Sequence, residues 1–270
     1  MTTEKNGSTA SLPTEHKPTL RVLDVLDALS QHPEGCTLTS LSIETGISKS
    51  TLSPIMRTLE NRHFASLDPA TGAYSVGLKC FAVGSTFMTG QPLISLLRMK
   101  MELMVEECQE TCQLGVLDDD KVFYLAKVDS PQAIRLISSI GTHIPAYCTA
   151  LGKALLSDSN EDDIRTLYPN GLNPMTAHTL RSVDELFDQI AEQKAQGVFQ
   201  EHEESSDNVV CYSVPLRHRG RIVAAVSISV PKFRLSPEKE SSVLHVLTSY
   251  KKKLEILLDT YQEGNSLLLG

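Results

Sequence analysis

Polar side chains at matched spacing in the second half of the chain can hydrogen-bond a small polar molecule. Ser227 and Ser229 lie two residues apart in an apolar run, so both hydroxyls point to one face of a strand. Cys211 lies in the preceding apolar run, and Glu201, upstream of it, carries a carboxylate that accepts hydrogen bonds from hydroxyls. These four residues are candidate ligand contacts. The alternative is that the two serines satisfy each other or the backbone.

The start of a predicted helix after Thr149 offers a site for an acidic group. The first N–H groups of a helix have no partner within it, so those of Ala150 and Leu151 suit a carboxylate. We therefore expect Ala150 and Leu151 to contact an acidic ligand. Lys153, one turn further on, fits a structural role as well as a ligand-facing one.

A second group of polar residues lies in the N-terminal third, at the start of a predicted helix. Hydroxyl and cationic side chains there can reach the phosphates and base edges of DNA, and the backbone N–H groups of a helix start add affinity for anions. The predicted DNA contacts are Ser48, Lys49, Ser50, Thr51, Ser53 and Arg57.

Three helices and a hairpin must position this second group. The first is amphipathic over residues 20–29, and the second is short, with Thr39 as its N-cap and Gly46 at its end. Ser48 caps the third, and two short strands then flank a Pro/Gly turn at 68–72. A short helix, a glycine turn and a second helix form a helix-turn-helix, and the hairpin is its wing.

The rest of the chain predicts a linker helix over 95–111 and then a domain of the α+β class. Its strands meander between helices, which favours an antiparallel sheet. The predicted strands are 114–117, 122–128, 134–140, 209–216 and 222–230, with a turn at 118–120. A capping box at Ser182 opens a helix that ends at Gly197, and Ser236 opens the last helix.

Length and composition favour two domains in a chain of 270 residues that is 41% hydrophobic. The expected divisions are a disordered arm over 1–16, a winged helix-turn-helix over 17–79, linker helices over 80–111, an effector-binding domain over 112–262 and a flexible tail over 263–270. Residues 1–16 lack the apolar core of a signal peptide, and the longest apolar runs are too short to span a bilayer. We expect a cytoplasmic protein that does not bind membranes.

Charge and cysteine content exclude little but add two expectations. The net charge of −8 is concentrated after residue 79, because residues 17–79 hold equal numbers of basic and acidic side chains. Charge alone therefore neither shows nor excludes DNA binding. None of the six cysteines forms a CxxC pair, so we expect reduced thiols, no metal and no cofactor.

An enzyme is the main competing class. The sequence contains no G-x-S-x-G, H-E-x-x-H, P-loop or G-x-G-x-x-G motif. A nucleophile pair of Cys148 with His143 has no support from its spacing. We expect no catalytic residues. A further alternative is a regulator with weakened DNA binding that acts through protein contacts.

Several ordered motifs together resemble the IclR family of bacterial regulators over roughly residues 18–260. They are TLTSL at 37–41, TGISKST at 45–51, DPATGAY at 68–74, TALGKALL at 149–156, Glu203-Glu204 with Cys211 after them, Val214-Pro215 and AAVSIS at 224–229. The resemblance implies a GAF-like effector domain whose pocket includes the candidate ligand contacts, with Glu201 where an Asp is usual.

The resemblance also implies the partners. They are a pseudo-palindromic double-stranded operator, a small organic acid such as a sugar acid or aromatic acid, and further copies of the chain in a homodimer or homotetramer. The expected role is a ligand-responsive regulator of a catabolic operon, with repression preferred to activation.

Two positions depart from the family pattern. Pro54 stands in the third helix where a basic residue is usual, and His63 replaces the usual Gly before the wing. A proline inside a helix removes one hydrogen bond, at a cost of about 3 kcal/mol. Either the helix kinks at Pro54, or it begins at Ser53 with Pro54 as its first residue. Both options lose a phosphate contact.

Overall fold

The structure, a computed structural model, describes residues 15–134, 140–261 and 268, and it divides into two compact units between Thr89 and Gly90. Most of the arm expected over 1–16, most of the tail expected over 263–270 and most of the strand expected over 134–140 lie outside the described residues.

The N-terminal unit is a three-helix core with a small sheet. Its elements are α1 (Lys17–Ser30), β1 (Cys36–Thr37), α2 (Leu38–Thr45), α3 (Lys49–Asn61), β2 (Ala65–Leu67), β3 (Ala73–Val76) and α4 (Leu78–Thr89). The three strands are antiparallel in the order β1-β3-β2. Val25, Leu29, Leu41, Leu52 and Met56 are fully buried at its centre. The predicted helix-turn-helix and wing are confirmed, whereas β1 was not predicted.

The cap predicted for α2 is wrong by two residues. Thr37, not Thr39, is the N-cap, and its hydroxyl accepts a hydrogen bond from the Ser40 N–H at 3.2 Å. The reason is that β1 ends at Thr37, so the chain turns directly from strand into helix. Gly46 ends the helix in the left-handed conformation, with φ 67°, as predicted.

Helix α3 runs through Pro54 without interruption, so the option of a start at Ser53 is wrong. Leu52, Met56 and Leu59 are buried on one side of the helix, before and after the proline. Burial of three large apolar side chains at about 1.5–3 kcal/mol each outweighs one lost hydrogen bond. The helix therefore keeps the predicted start after Ser48.

The C-terminal unit is built on one antiparallel sheet of six strands in the order β6-β5-β4-β9-β8-β7. The strands are β4 (Thr111–Asp118), β5 (Lys121–Val128), β6 (His143–Pro145), β7 (Phe199–His202), β8 (Val209–His218) and β9 (Arg221–Pro231). The helices are α5 (Pro92–Cys108), α6 (Ala150–Leu155), α7 (Glu161–Leu167), α8 (Val183–Gln196) and α9 (Pro237–Thr260). The α+β class with an antiparallel sheet is confirmed.

Most predicted elements of this unit are present with shifted ends. The linker helix stops at Cys108 rather than 111, because Gln109 takes the left-handed conformation and Thr111 begins β4. Strands β6 and β7 were not predicted. The capping box is half formed, since Ser182 accepts from the Glu185 N–H while Glu185 accepts from the Arg181 N–H.

The two faces of the sheet bury different side chains, since neighbouring residues of a strand point to opposite sides. On one face, α5 and α9 pack against an apolar core that includes Val214, Val226 and Ile228. On the other face, α6 and α8 pack against a smaller apolar core that includes Phe199 and Ala225. The second face also carries buried polar side chains, and it holds the residues predicted to bind a ligand.

Among the described helices, no single one has the length and hydropathy of a membrane span. Leu78–Phe87 and Pro92–Cys108 reach that threshold only when taken together as a bent pair.

Candidate functional site

The exposed side of α3 carries most of the side chains predicted to contact DNA. Lys49, Ser50 and Arg57 are exposed, opposite the buried Leu52 and Met56. This side combines two cations with short polar groups at a helix start, which is the chemistry that binds phosphates and base edges.

The hydroxyls at the start of α3 form a small network. The Ser48 hydroxyl lies 3.0 Å from the hydroxyl of Ser50 and 3.0 Å from that of Thr51. Ser48 stands at the N-cap position but its side chain does not bond the backbone there. Ser53 is half-buried and lies beside this network on the helix. The structure thus brings the six predicted DNA contacts onto one helix and its cap.

Strand pairing brings the predicted ligand contacts of the C-terminal unit together. Glu201 of β7 is opposite Cys211 of β8, which is opposite Ser229 of β9. Ser227 lies one rung away on the same face, opposite Ser213. These side chains therefore form adjacent rows on the face covered by α6.

Gln113 of β4 is the residue that sequence reasoning missed. Its Oε1 accepts hydrogen bonds from the hydroxyls of Ser229 at 2.9 Å and Ser227 at 3.3 Å, and all three residues are buried. The Ser229 hydroxyl also lies 3.2 Å from the Cys211 thiol. The signal was available, since Gln113 directly precedes the apolar run predicted as a strand over 114–117. We call Gln113, Cys211, Ser227 and Ser229 the polar face.

A buried ion pair joins α6 to the loop after β7. The Lys153 ammonium, fully buried, lies 2.5 Å from Oε1 of Glu204 and donates to the Gln200 carbonyl at 3.3 Å. Burial lowers the pKa of Lys153, and the neighbouring Glu204 carboxylate opposes that change. The structure thus places Lys153 in an internal ion pair, which agrees with the structural one of the two roles left open by the sequence.

Glu201 is buried beside this pair and is engaged by its own loop. Its Oε2 accepts from the Glu204 N–H at 2.8 Å and its Oε1 from the Ser205 hydroxyl at 3.3 Å. Burial raises the pKa of Glu201, while the hydrogen bond from Cys211 opposes the rise. Both carboxyl oxygens of Glu201 thus already accept hydrogen bonds from the chain itself.

Neither cysteine at this site has the environment of a nucleophile. Burial raises the pKa of Cys148 to about 12 and that of Cys211 well above its usual value, so both are neutral thiols at pH 7. The Cys148 thiol donates to the Pro145 carbonyl at 3.3 Å, whereas the His143 ring bonds Asp118 at 2.7 Å. The Cys148–His143 pair weighed from the sequence is not formed.

The start of α6 is fixed against the preceding turn. Thr149 caps the helix by accepting from the Gly152 N–H at 2.9 Å, and Ala150 and Leu151 are the first two helical residues, both buried. A Cβ at Gly152 would lie 2.1 Å from the Ala146 carbonyl oxygen. This contact admits only glycine, and it sets the direction in which the helix leaves the turn.

Metal chemistry has no cluster to support it in the described part of the chain. No group of three or more His, Cys, Asp or Glu side chains there could hold a metal ion, and all six cysteines are free.

A winged helix-turn-helix in one unit and a buried polar face in the other define a DNA-binding transcriptional regulator. Residues 18–69 match the model of the IclR helix-turn-helix domain, and residues 86–255 match that of the bacterial transcriptional regulator IclR C-terminal domain. The chain belongs to the IclR family.

Relatives of this chain are transcriptional regulators. The regulator KdgR of Escherichia coli is 30% identical over 237 residues, covering 87% of this chain and 90% of that protein. The DNA-binding transcriptional repressor YiaJ of the same organism is 28% identical over 232 residues, covering 84% and 82%.

Solved structures have the same fold. The IclR transcriptional regulator of Alicyclobacillus acidocaldarius superposes with a TM-score of 0.79 at 22% identity, covering 91% of this chain and 100% of that one. An IclR homologue of Microbacterium hydrocarbonoxydans, crystallised with 4-hydroxybenzoate, gives 0.73 at 18% identity, covering 89% and 98%.

Proposed function

We propose that this protein represses a catabolic operon and that a small organic acid, of the sugar-acid or aromatic-acid class, relieves the repression. The observation that carries the proposal is the polar face, where the hydroxyls of Ser227 and Ser229 donate to the Gln113 amide oxygen and the Cys211 thiol lies against Ser229. Hydroxyl and amide groups on a buried surface are the usual means of orienting a small polar ligand. The repressor relative YiaJ supports the direction of control.

The proposed DNA contacts lie on one helix. Paired copies of α3 enter successive major grooves of a pseudo-palindromic site, about one helical turn apart. The contacting residues are Ser48, Lys49, Ser50, Thr51, Ser53 and Arg57. The unbroken α3 supports this reading over the alternative in which the protein acts through protein contacts alone.

The proposed effector contacts include the polar face. They are Ala150, Leu151, Glu201, Cys211, Ser227 and Ser229, to which we add Gln113. An acid fits the start of α6, where the first N–H groups of the helix suit a carboxylate. The 4-hydroxybenzoate complex of the Microbacterium homologue supports a carboxylic acid as the ligand class.

Repression requires a second copy of the chain, and α4 supplies an apolar surface for it. Leu78, Phe81 and Val83 are 79%, 74% and 53% exposed. Exposed apolar residues on one helix are typical of an association surface. We propose a homodimer or homotetramer, with residues 17–79 binding DNA, 80–111 linking and 112–262 sensing. The ligand acts by favouring one arrangement of the DNA-binding units over another.

The test measures binding to the protein's own promoter fragment with and without a panel of sugar acids and aromatic acids. We expect one acid to weaken DNA binding of the wild type and to raise its melting temperature. Ser227→Ala and Ser229→Ala should bind the promoter normally and lose both responses. If no acid acts, or if both variants respond like the wild type, the effector assignment is wrong while DNA binding stands.

A further inference from the structure

Pro54 lies in the middle of the exposed side of α3. At 3.6 residues per turn, residue 54 points away from the buried Leu52 and Met56. Ser50 and Arg57, one turn before and one turn after, flank it on the same side, and all three are exposed. Any groove that receives this side of the helix therefore meets the proline ring between a hydroxyl and a guanidinium.

Two of the polar groups around the ring already have partners within the protein. The Ser50 hydroxyl bonds Ser48 at 3.0 Å, and the Thr58 hydroxyl donates to the Pro54 carbonyl at 2.8 Å. The ring itself offers only C–H groups and carries no N–H donor. It is thus an apolar, conformationally fixed surface among polar neighbours, and its contact with DNA costs almost no side-chain entropy.

The major groove has one apolar feature that such a surface can recognise. Each base pair presents donors and acceptors there, and thymine alone adds a C5-methyl group. A basic side chain at this position would bind phosphate, whereas the ring of Pro54 gains nothing from a phosphate and gains from burying a methyl group.

We propose that Pro54 is a specificity-determining residue whose ring packs against the 5-methyl group of a thymine in each half of the operator. The inference rests on DNA binding through α3. Under this proposal Pro54 makes a base contact in place of the phosphate contact that a basic residue would make at this position. It also predicts that the protein discriminates thymine from uracil at one defined position of each half-site.

The experiment uses a duplex selected from a random pool by the full-length wild type. Each thymine of one half-site is then replaced in turn by uracil, which removes the methyl group and leaves the hydrogen-bonding edge unchanged. We expect one replacement to weaken wild-type binding by about fourfold, the effect of burying one methyl-sized group. Pro54→Ala, which keeps only Cβ of the ring, should show a smaller preference for the thymine duplex over the uracil duplex.

Two measurements keep the result interpretable. Pro54→Ala should unfold at the same temperature or higher, because alanine restores a helix hydrogen bond. Arg57→Ala, which removes a charge one turn away, should bind both duplexes more weakly and keep their ratio. Equal binding of thymine and uracil duplexes by the wild type, or a preference that is undiminished in Pro54→Ala, overturns the proposal. A pool without enrichment refutes sequence-specific binding as a whole.

Discussion

Arg234 holds the buried carboxylate of Glu110 with two parallel hydrogen bonds. The guanidinium donates from Nε at 2.9 Å and from Nη2 at 2.7 Å, and Glu110 is 1% exposed. Lys239 lies 3.4 Å from the same carboxylate, and Arg234 also donates to the Ile134 carbonyl at 2.7 Å. Arg234, which follows β9, therefore fixes the segment between the end of the linker helix α5 and the start of β4.

Replacing Arg234 with methionine should destabilise the C-terminal unit by up to about 3–5 kcal/mol. The change leaves Glu110 buried with only the more distant Lys239 as a partner, and an uncompensated buried charge is costly. The free energy of unfolding in urea measures the effect. In Arg234→Met/Glu110→Gln the loss should be smaller than the sum of the single losses. Strict additivity would show that the pair does not interact.

Gly152→Ala should destabilise the protein by about 3 kcal/mol or more and abolish any effector response. The added methyl group would lie 2.1 Å from the Ala146 carbonyl oxygen, and backbone on both sides must move to relieve the contact. Gly84→Ala is the matched control, because nothing lies within 4 Å of its Cβ and alanine favours a helix by about 1 kcal/mol. Equal stability of the two variants would refute the close contact.

Asp158 makes the free energy of unfolding depend on pH in the acid range. Arg217 donates two hydrogen bonds to the Asp158 carboxylate, at 2.6 and 2.9 Å, and the Lys194 ammonium lies 3.1 Å from it. The hydrogen bonds from Arg217 are the main cause that lowers the pKa of Asp158 to about 2. A lowered carboxyl pKa stabilises the folded state above about pH 4, and the gain is lost as pH falls toward 2.

We therefore expect Asp158→Asn to lower the free energy of unfolding by less than about 1 kcal/mol at pH 7, since the carboxylate is partly exposed. The difference from wild type should shrink between about pH 4 and pH 2. Urea denaturation across this range measures it, with Asp188→Asn as an exposed-charge control. A difference that does not change with pH would contradict the assignment.

Arg57→Ala should weaken DNA binding and make it less sensitive to salt. Loss of one phosphate contact reduces the slope of log affinity against log salt by about 1. Fluorescence anisotropy at several salt concentrations gives the slope. Lys252→Ala removes one positive charge from the exposed side of α9 and should leave the slope unchanged. Equal slopes for Arg57→Ala and wild type would show that Arg57 makes no contact with DNA phosphates.

Phe81→Ser should weaken association between copies of the chain. The ring is 74% exposed on α4, so a polar replacement removes apolar surface from the proposed interface without touching a core. Sedimentation velocity at several concentrations should show a shift toward the monomer. Phe233→Ser, at a similarly exposed ring in the other unit, is the control. An unchanged mass distribution would place the interface elsewhere.

The sequence predicted what depends on local pattern. Apolar spacing located α1, α3, α8 and α9, and alternation located β4, β5, β8 and β9. It did not predict β1 or β6, because strands of two or three residues are defined by a partner that lies far away in sequence. The cap of α2 was misplaced for the same reason.

The candidate site was predicted only in part. Residues on one strand, such as Ser227 and Ser229, could be placed on one face by alternation alone. Their joint acceptor, Gln113, lies on another strand and needed the strand order β4-β9-β8. The Lys153–Glu204 pair likewise joins positions about fifty residues apart, and no pattern in the sequence links them.

The alternation of side chains between the two faces of the sheet has a consequence for protein engineering. In β4, β8 and β9 the odd-numbered positions around Gln113, Cys211 and Ser227 lie on the same side of the sheet as the polar face, while even-numbered positions such as Val214 and Val226 belong to the core under α5 and α9. A library restricted to the odd positions would vary the proposed effector contacts and leave this core unchanged. The alternation of side chains thus separates the positions to change, when the proposed effector site is redesigned as a biosensor, from the positions that hold the fold.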